Sequence, residues 1–191
     1  MSIENAKKED APELTHLINL AGEGIPEYLW TGMVEGSETP MEVGARRASR
    51  EEGGFSYRNA RVIRDANQVA GMMIAYRLED PYEIGDLNEL PELIRPLIQL
   101  ESQAPGSWYI NAIATAESCR GRGIASQLMQ EAESLARKDG ATTMSLIVAS
   151  ENTTARSIYL HKGYEVTSSL PVVDYPGAMH GGDWELMIKT L

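Results

Sequence analysis

From Ser118 to Ser126 the chain reads Ser-Cys-Arg-Gly-Arg-Gly-Ile-Ala-Ser, a composition suited to holding an anion. An apolar stretch, Trp108 to Ala114, leads into it, and a helix-period pattern leaves it. The run therefore reads as a strand, a glycine-rich turn and a helix start. Gly121 and Gly123 let the main chain approach a ligand, and Arg120 and Arg122 add positive charge. The first N–H groups of a helix have no partner inside it and point outward, where they attract anions, phosphates above all. The expectation is a phosphorylated molecule held largely by backbone. The same two glycines would also suit close strand–helix packing; the flanking arginines favour the anion. Further along, Asn152 is a residue type that caps helices, and Tyr159 lies seven residues on, two turns along the same helix. Tyr159 can be a core aromatic or a phenol available for proton transfer.

The elements that must position these groups follow from periodicity. Residues 3–7 read as a short strand. Leu14, Leu17, Ile18 and Ala21 recur at helical spacing with Gly22 as a stop. Tyr28, Leu29, Trp30 and Met33 suggest a short second helix, and Pro40 to Glu52 a third, ended by Gly53-Gly54. Asn59 to Arg64 and Val69 to Tyr76 read as strands joined by a tight hairpin at Asp65-Ala66-Asn67-Gln68. Residues 79–105 read as an insertion with four prolines and seven acids against one base, Arg95. Within it Leu90, Leu93, Ile94, Leu97, Ile98 and Leu100 fit one helix face, strained at Pro96. It reads either as a solvated surface helix or as a wall beside a site. Strand 108–115, the glycine turn and a helix with Ile124, Leu128, Met129, Ala132, Leu135 and Ala136 on one stripe come next. Thr143 to Ala149 is a buried-looking strand, and Asn152 opens a short helix closed by Gly163, with Tyr164 packing back. Val166 to Val173 and Trp184 to Lys189 read as closing strands.

The 191 residues, 42% apolar and 24% charged, suffice for one domain with a substantial core. A formal net charge of −11 argues against nucleic acid or an anionic membrane as partner. It suits a cationic substrate, though simple solubility is the plainer explanation. Cys119 is the only cysteine, which excludes an internal disulfide, and it reads as a packing residue beside the turn. His16, His161 and His180 lack zinc spacing, so no metal site is expected. No run approaches the ~18 apolar residues of a bilayer span, and the acidic N-terminus is unlike a signal peptide. A cytoplasmic protein is expected.

The chain resembles the GNAT superfamily of acyl-CoA-dependent N-acetyltransferases. The resemblance is carried by Ile113-Ala114-Thr115, the turn Arg120-x-x-Gly123-x-Ala125, and Asn152-x-x-Ala155-x-x-x-Tyr159-x-x-x-Gly163-Tyr164. The matched core runs from about Trp108 to Tyr164. The resemblance implies an α/β fold whose mixed, mostly antiparallel central sheet is flanked by helices and has a splayed central strand pair. It implies one domain over residues 1–191 that carries the insertion at about 79–105. The implied activity moves an acetyl group from acetyl-CoA to a primary amine, of a small molecule or peptide, by direct attack in a ternary complex. Ile113 and Thr115 would pair with the pantetheine arm. The amides of Gly121, Arg122, Gly123, Ile124, Ala125 and Ser126 would hold the pyrophosphate beside Arg120. Asn152 would touch the CoA arm while capping its helix, and Tyr159 would be the general acid for the leaving sulfur. A homodimer is a further implication. The acceptor is expected near Tyr28, Trp30, the 79–105 insertion and Tyr175.

The base stays open. Some relatives carry a glutamate on the strand before the asparagine; here that stretch is Leu146-Ile147-Val148. Glu101, Glu117, Asp183 and a water held by Asn111 are the alternatives, and each acid also reads as an ordinary surface carboxylate. The missing carboxylate keeps a second function in view, a non-catalytic CoA-binding sensor or partner module. A third, a dinucleotide-binding oxidoreductase, draws on Gly121-x-Gly123-x-x-Ser126. It lacks an acid at the end of the next strand, since Asp139 ends the helix instead.

Overall fold

Among the described residues, apolar runs bounded by turn residues become seven strands, and helix-period stretches become six helices. The computed structural model describes residues 2–191. The strands are β1 (Ile3–Asn5), β2 (Ala60–Asp65), β3 (Gln68–Arg77), β4 (Trp108–Thr115), β5 (Thr143–Ala149), β6 (Glu165–Pro171) and β7 (Asp183–Thr190). The helices are α1 (Ala11–Ala21), α2 (Ile25–Thr31), α3 (Pro40–Ala48), α4 (Arg95–Glu101), α5 (Ile124–Asp139) and α6 (Thr153–His161). The strands form one sheet in the order β1-β2-β3-β4-β5-β7-β6. The pairs β1–β2, β2–β3, β5–β7 and β6–β7 are antiparallel and β4–β5 is parallel. This is the mixed, mostly antiparallel sheet flanked by helices that the sequence led us to expect.

The chain divides into two compact units. The first comprises Met1–Tyr76 and Asn111–Ala132. In it Leu14, Leu17 and Ile18 of α1, Trp30 of α2 and Val43 of α3 pack on Val62, Met72, Ile74, Ala112 and Ala114. Full burial of each large aliphatic side chain stabilises by about 1.5–3 kcal/mol. The α3 start is held by a capping box, in which Thr39 Oγ1 accepts from the Glu42 amide while the Glu42 carboxylate accepts from the Thr39 amide. The β2–β3 hairpin turns at Ala66-Asn67, with Asp65 opposite Gln68 and Ala66 at φ 53°.

The second unit comprises Arg77–Ile110 and Glu133–Leu191. Met144, Leu146, Leu186 and Met187 fill its core. The first residues of β4 pair with β5 as Trp108↔Met144, Tyr109↔Ser145 and Ile110↔Leu146. The α6 helix closes in a Schellman motif: Tyr164 N donates to Tyr159 O, Gly163 N donates to Leu160 O, and Gly163 sits at φ 85°.

Three local expectations change. The third helix ends at Ala48 rather than Glu52, because the Ser49 hydroxyl donates to the Arg46 carbonyl and Ser49 caps the end. The second helix ends at Thr31, so Met33 lies beyond it. The insertion does not form one continuous helix. Two 3-10 turns, Leu87–Glu89 and Glu92–Ile94, precede the seven-residue α4. Proline disfavours α geometry in the residue before it, which breaks the run at Leu90-Pro91. Pro96 strains nothing, since it lies in the first turn of α4, where no amide donor is needed. Leu93 and Leu100 are the buried members of the expected apolar face.

Candidate active site

The glycine turn belongs to the first unit. At the end of β4 the Ala116 amide donates to the Ala70 carbonyl on β3 at 2.9 Å. A 3-10 turn, Glu117–Cys119, follows, with the Cys119 amide donating to Ala116 O at 2.8 Å. Cys119 is buried, which anchors the turn and fits its reading as a packing residue. Gly121 and Gly123 then adopt φ 75° and 76°, the left-handed region. A Cβ at either position would meet nothing within 4 Å. Their need for glycine is therefore conformational, and close strand–helix packing is not the reason. The Gln127 amide donates to the Gly123 carbonyl at 3.1 Å, so α5 begins there, with Ile124, Ala125 and Ser126 in its first turn. Ile124 and Leu128 are fully buried and pin this end.

The arginines are balanced in place. Arg122 pairs with Asp65 at 2.5 Å and its guanidinium also reaches Cys119 Sγ at 3.6 Å; Arg120 lies 3.5 Å from Glu117. Arg122 holds the Asp65 carboxyl below its usual range. What attracts an anion here is chiefly the bare helix terminus and turn amides, worth about 0.3–1 kcal/mol per charge at an exposed end. The residues suit a diphosphate: open space over two positive-φ glycines, a helix start beyond them, and a buried Thr115 hydroxyl with no partner among the described residues.

Gly71 on β3 was not singled out from the sequence, and it bears on this turn. A Cβ there would lie 2.5 Å from Ile124 Cγ2 and 3.1 Å from the Ala114 carbonyl. An isolated glycine within a strand pattern is the signal that could have found it. Ile124 is β-branched and buried, so it cannot swing aside. Gly71→Ala is expected to cost about 1–3 kcal/mol by overpacking and to weaken coenzyme A binding through displacement of the α5 start. Thermal unfolding together with calorimetric titration of coenzyme A checks both effects.

Asn152 and Tyr159 lie in the second unit. Asn152 caps α6, its Oδ1 accepting from the Ala155 amide at 3.2 Å. Tyr159 is half-buried and meets Tyr164 edge-on, ring centroids 6.1 Å apart and planes at 61°. Burial and the neighbouring Tyr159 push the Tyr164 hydroxyl well above the usual phenol range, which leaves it a structural residue. Trp30, expected near an acceptor, belongs to the core of the first unit; Tyr175 is also buried, and Tyr28 is exposed.

The alternatives for a base separate clearly. Glu117 and Asp183 are exposed. The Asn111 amide group donates to Tyr76 Oη at 2.7 Å, both residues being in the first unit. Glu101 departs from the surface-carboxylate reading. It is half-buried at the end of α4, accepts from Tyr82 Oη at 2.9 Å, and its carboxyl is pushed up chiefly by burial. No local pattern marks Tyr82 as its partner. Among the described residues no group of three or more His, Cys, Asp or Glu could hold a metal ion, and no helix is long and apolar enough to cross a membrane.

The family model for the acetyltransferase (GNAT) family matches residues 25–164, and the chain belongs to that family. No curated protein matches it. Among solved structures it is similar to an N-acetyltransferase from Staphylococcus aureus, at 21% identity and TM-score 0.63, over 98% of this chain and 100% of that one. It is similar to a polyamine N-acetyltransferase from Drosophila melanogaster that forms N-acetylagmatine, at 13% identity and TM-score 0.69, over 100% and 99%. It is similar to a ribosomal-protein-alanine N-acetyltransferase from Brucella melitensis, at 19% identity and TM-score 0.64, over the whole of both chains. At these identities the likeness is one of fold.

Proposed function

We propose that this protein is an N-acetyltransferase that moves an acetyl group from acetyl-CoA to a primary amine by direct attack in a ternary complex. The observation that carries the reading is the turn before α5, where two positive-φ glycines face open space at a helix start. The amides of Gly121 to Ser126 bind the pyrophosphate, with Arg120 and Arg122 beside them. Ile113 and Thr115 on β4 pair with the pantetheine arm. Asn152 contacts the arm while capping α6. The cosubstrate supplies an activated thioester.

Tyr159 Oη delivers a proton to the leaving sulfur. Reference values of ~10 for a phenol and ~8.5 for a thiol make complete transfer uphill by about 2 kcal/mol, so a hydrogen bond to the developing charge comes first and transfer completes the step. An alkylammonium near ~10.4 must first give up a proton, at a cost of about 4.6 kcal/mol at pH 7, so a proton acceptor is needed.

The Drosophila and Brucella proteins suggest two acceptor classes, a small cationic amine and a protein α-amine. The net charge of −11 favours the first. Coenzyme A titrated into folded protein should release heat. Thiol release from acetyl-CoA should then depend on one member of a panel of agmatine, spermidine and an alanine-initiated peptide. Binding without release for every amine would instead support a CoA-binding module without turnover. Absence of heat with coenzyme A removes the reading.

A further inference from the structure

The end of the β2–β3 hairpin is irregular, and each irregularity bears on the glycine turn within the same unit. Ile63 faces Gly71 while Arg64 faces Val69, so Ala70 is an extra residue on β3, a β-bulge. The bulge is held from both sides. The Val69 amide donates to the Glu13 carboxylate of α1 at 2.7 Å, and the Ala70 carbonyl accepts from the Ala116 amide at 2.9 Å, at the entry to the turn. Beyond the bulge the chain reverses through Ala66-Asn67, where Ala66 takes φ 53° although it carries a Cβ. Asp65, just before that reversal, reaches the middle of the glycine turn: its Oδ2 accepts from Arg122 Nη1 at 2.5 Å. The same nitrogen donates to Cys119 Sγ at 3.6 Å. Asp65 and Arg122 are 57 residues apart, so only the fold brings this acid to the turn. Arg64, the nearest other cation on the hairpin, is committed to Glu4 and Asp10.

An acid is an odd neighbour for an anion site. Both members of the pair are exposed, so it adds little to stability and can exchange partners at little cost. Its electrostatic effect on a diphosphate is plain: the carboxylate repels the ligand and draws on the same guanidinium. Resting on the reading above, we propose that Asp65 positions Arg122 and competes with the bound diphosphate for it, which keeps coenzyme A binding weaker than the turn amides and Arg122 would otherwise make it. Acetyl-CoA and the product coenzyme A carry the same diphosphate. Affinity for that shared handle is felt equally by ground state and transition state, so it does nothing for the chemical step and slows the departure of product. Asp65 limits it.

The test titrates coenzyme A calorimetrically into wild type, Asp65→Asn and Arg122→Gln, at about 50 mM and about 500 mM salt. Initial rates of thiol release with the fastest amine of the panel, with and without added coenzyme A, accompany it. Asp65→Asn keeps an acceptor for Arg122 and removes the charge. At low salt it should bind coenzyme A about three- to tenfold more tightly. KM for acetyl-CoA and the inhibition constant of product coenzyme A should fall by a similar factor, while kcat does not rise. High salt should narrow the gap, because screening weakens interactions between exposed charges. Arg122→Gln should bind more weakly than wild type.

A gain in affinity is not something structural damage produces, so the sign of the change separates this role from a merely structural one. Asp65→Asn that binds coenzyme A no more tightly than wild type at low salt overturns the proposal. So does a gain undiminished at high salt, or Arg122→Gln with wild-type affinity. Wild type that takes up no coenzyme A removes the reading of the turn and this assignment with it. Wild type that binds and acetylates, with Asp65→Asn indistinguishable from it, removes only the role of Asp65.

Discussion

Tyr159→Phe is expected to lower kcat by about 10²–10⁴-fold, the usual contribution of a positioned proton donor. The phenyl ring keeps the edge contact to Tyr164, and the Tyr159 carbonyl still accepts from the Tyr164 amide, so α6 keeps its end. Stability and coenzyme A affinity should therefore stay near wild type. An interaction made only in the transition state shows itself as a fall in kcat and kcat/KM together, with KM unmoved. Steady-state thiol release with the preferred amine, alongside calorimetry of coenzyme A, separates these quantities. A variant as fast as wild type removes Tyr159 from the chemistry and leaves it a packing aromatic.

Replacing both turn glycines, Gly121→Ala with Gly123→Ala, should act on binding instead. Each places an L side chain in the left-handed region, at about 1–2 kcal/mol apiece, although neither new methyl meets another atom within 4 Å. The turn relieves that strain by changing shape, and the amides lose their common aim. Coenzyme A affinity should fall by about one to three orders of magnitude, the equivalent of that strain. Gly140→Ala is the matched control: it has φ 79° and the same open space, but lies beyond the other end of α5. It should lower the melting temperature without altering the heat or affinity of coenzyme A binding. Equal loss of affinity in the control would mean that general destabilisation, and no role of the turn amides, explains the result.

Much of the scaffold was legible because its determinants are local. The apolar runs at 108–115 and 143–149 are strands over those same residues, and Asn152, Gly163 and Tyr164 bound α6 as their types suggest. The insertion was less legible. Its leucines carry a helical period, yet Pro91 breaks the run and Pro96 starts a new helix, so a repeat count overstated the element. Trp30 could be read as an acceptor contact or as core, and only its neighbours in the first unit distinguish the two. Gly71 looked like any strand glycine until Ile124 was found against it.

The residue order alone determined the glycine turn, the following helix and the cap–tyrosine spacing, because each depends on backbone preferences within one or two turns of chain. Tertiary structure decided which carboxylate is drawn in beside a phenol and which strands pair. Those outcomes depend on groups far apart in the chain, Tyr82 and Glu101 being 19 residues apart and Ile110 pairing with Leu146. Burial of a charge and the pairing of two strands are set by what packs around them, and no local pattern encodes that.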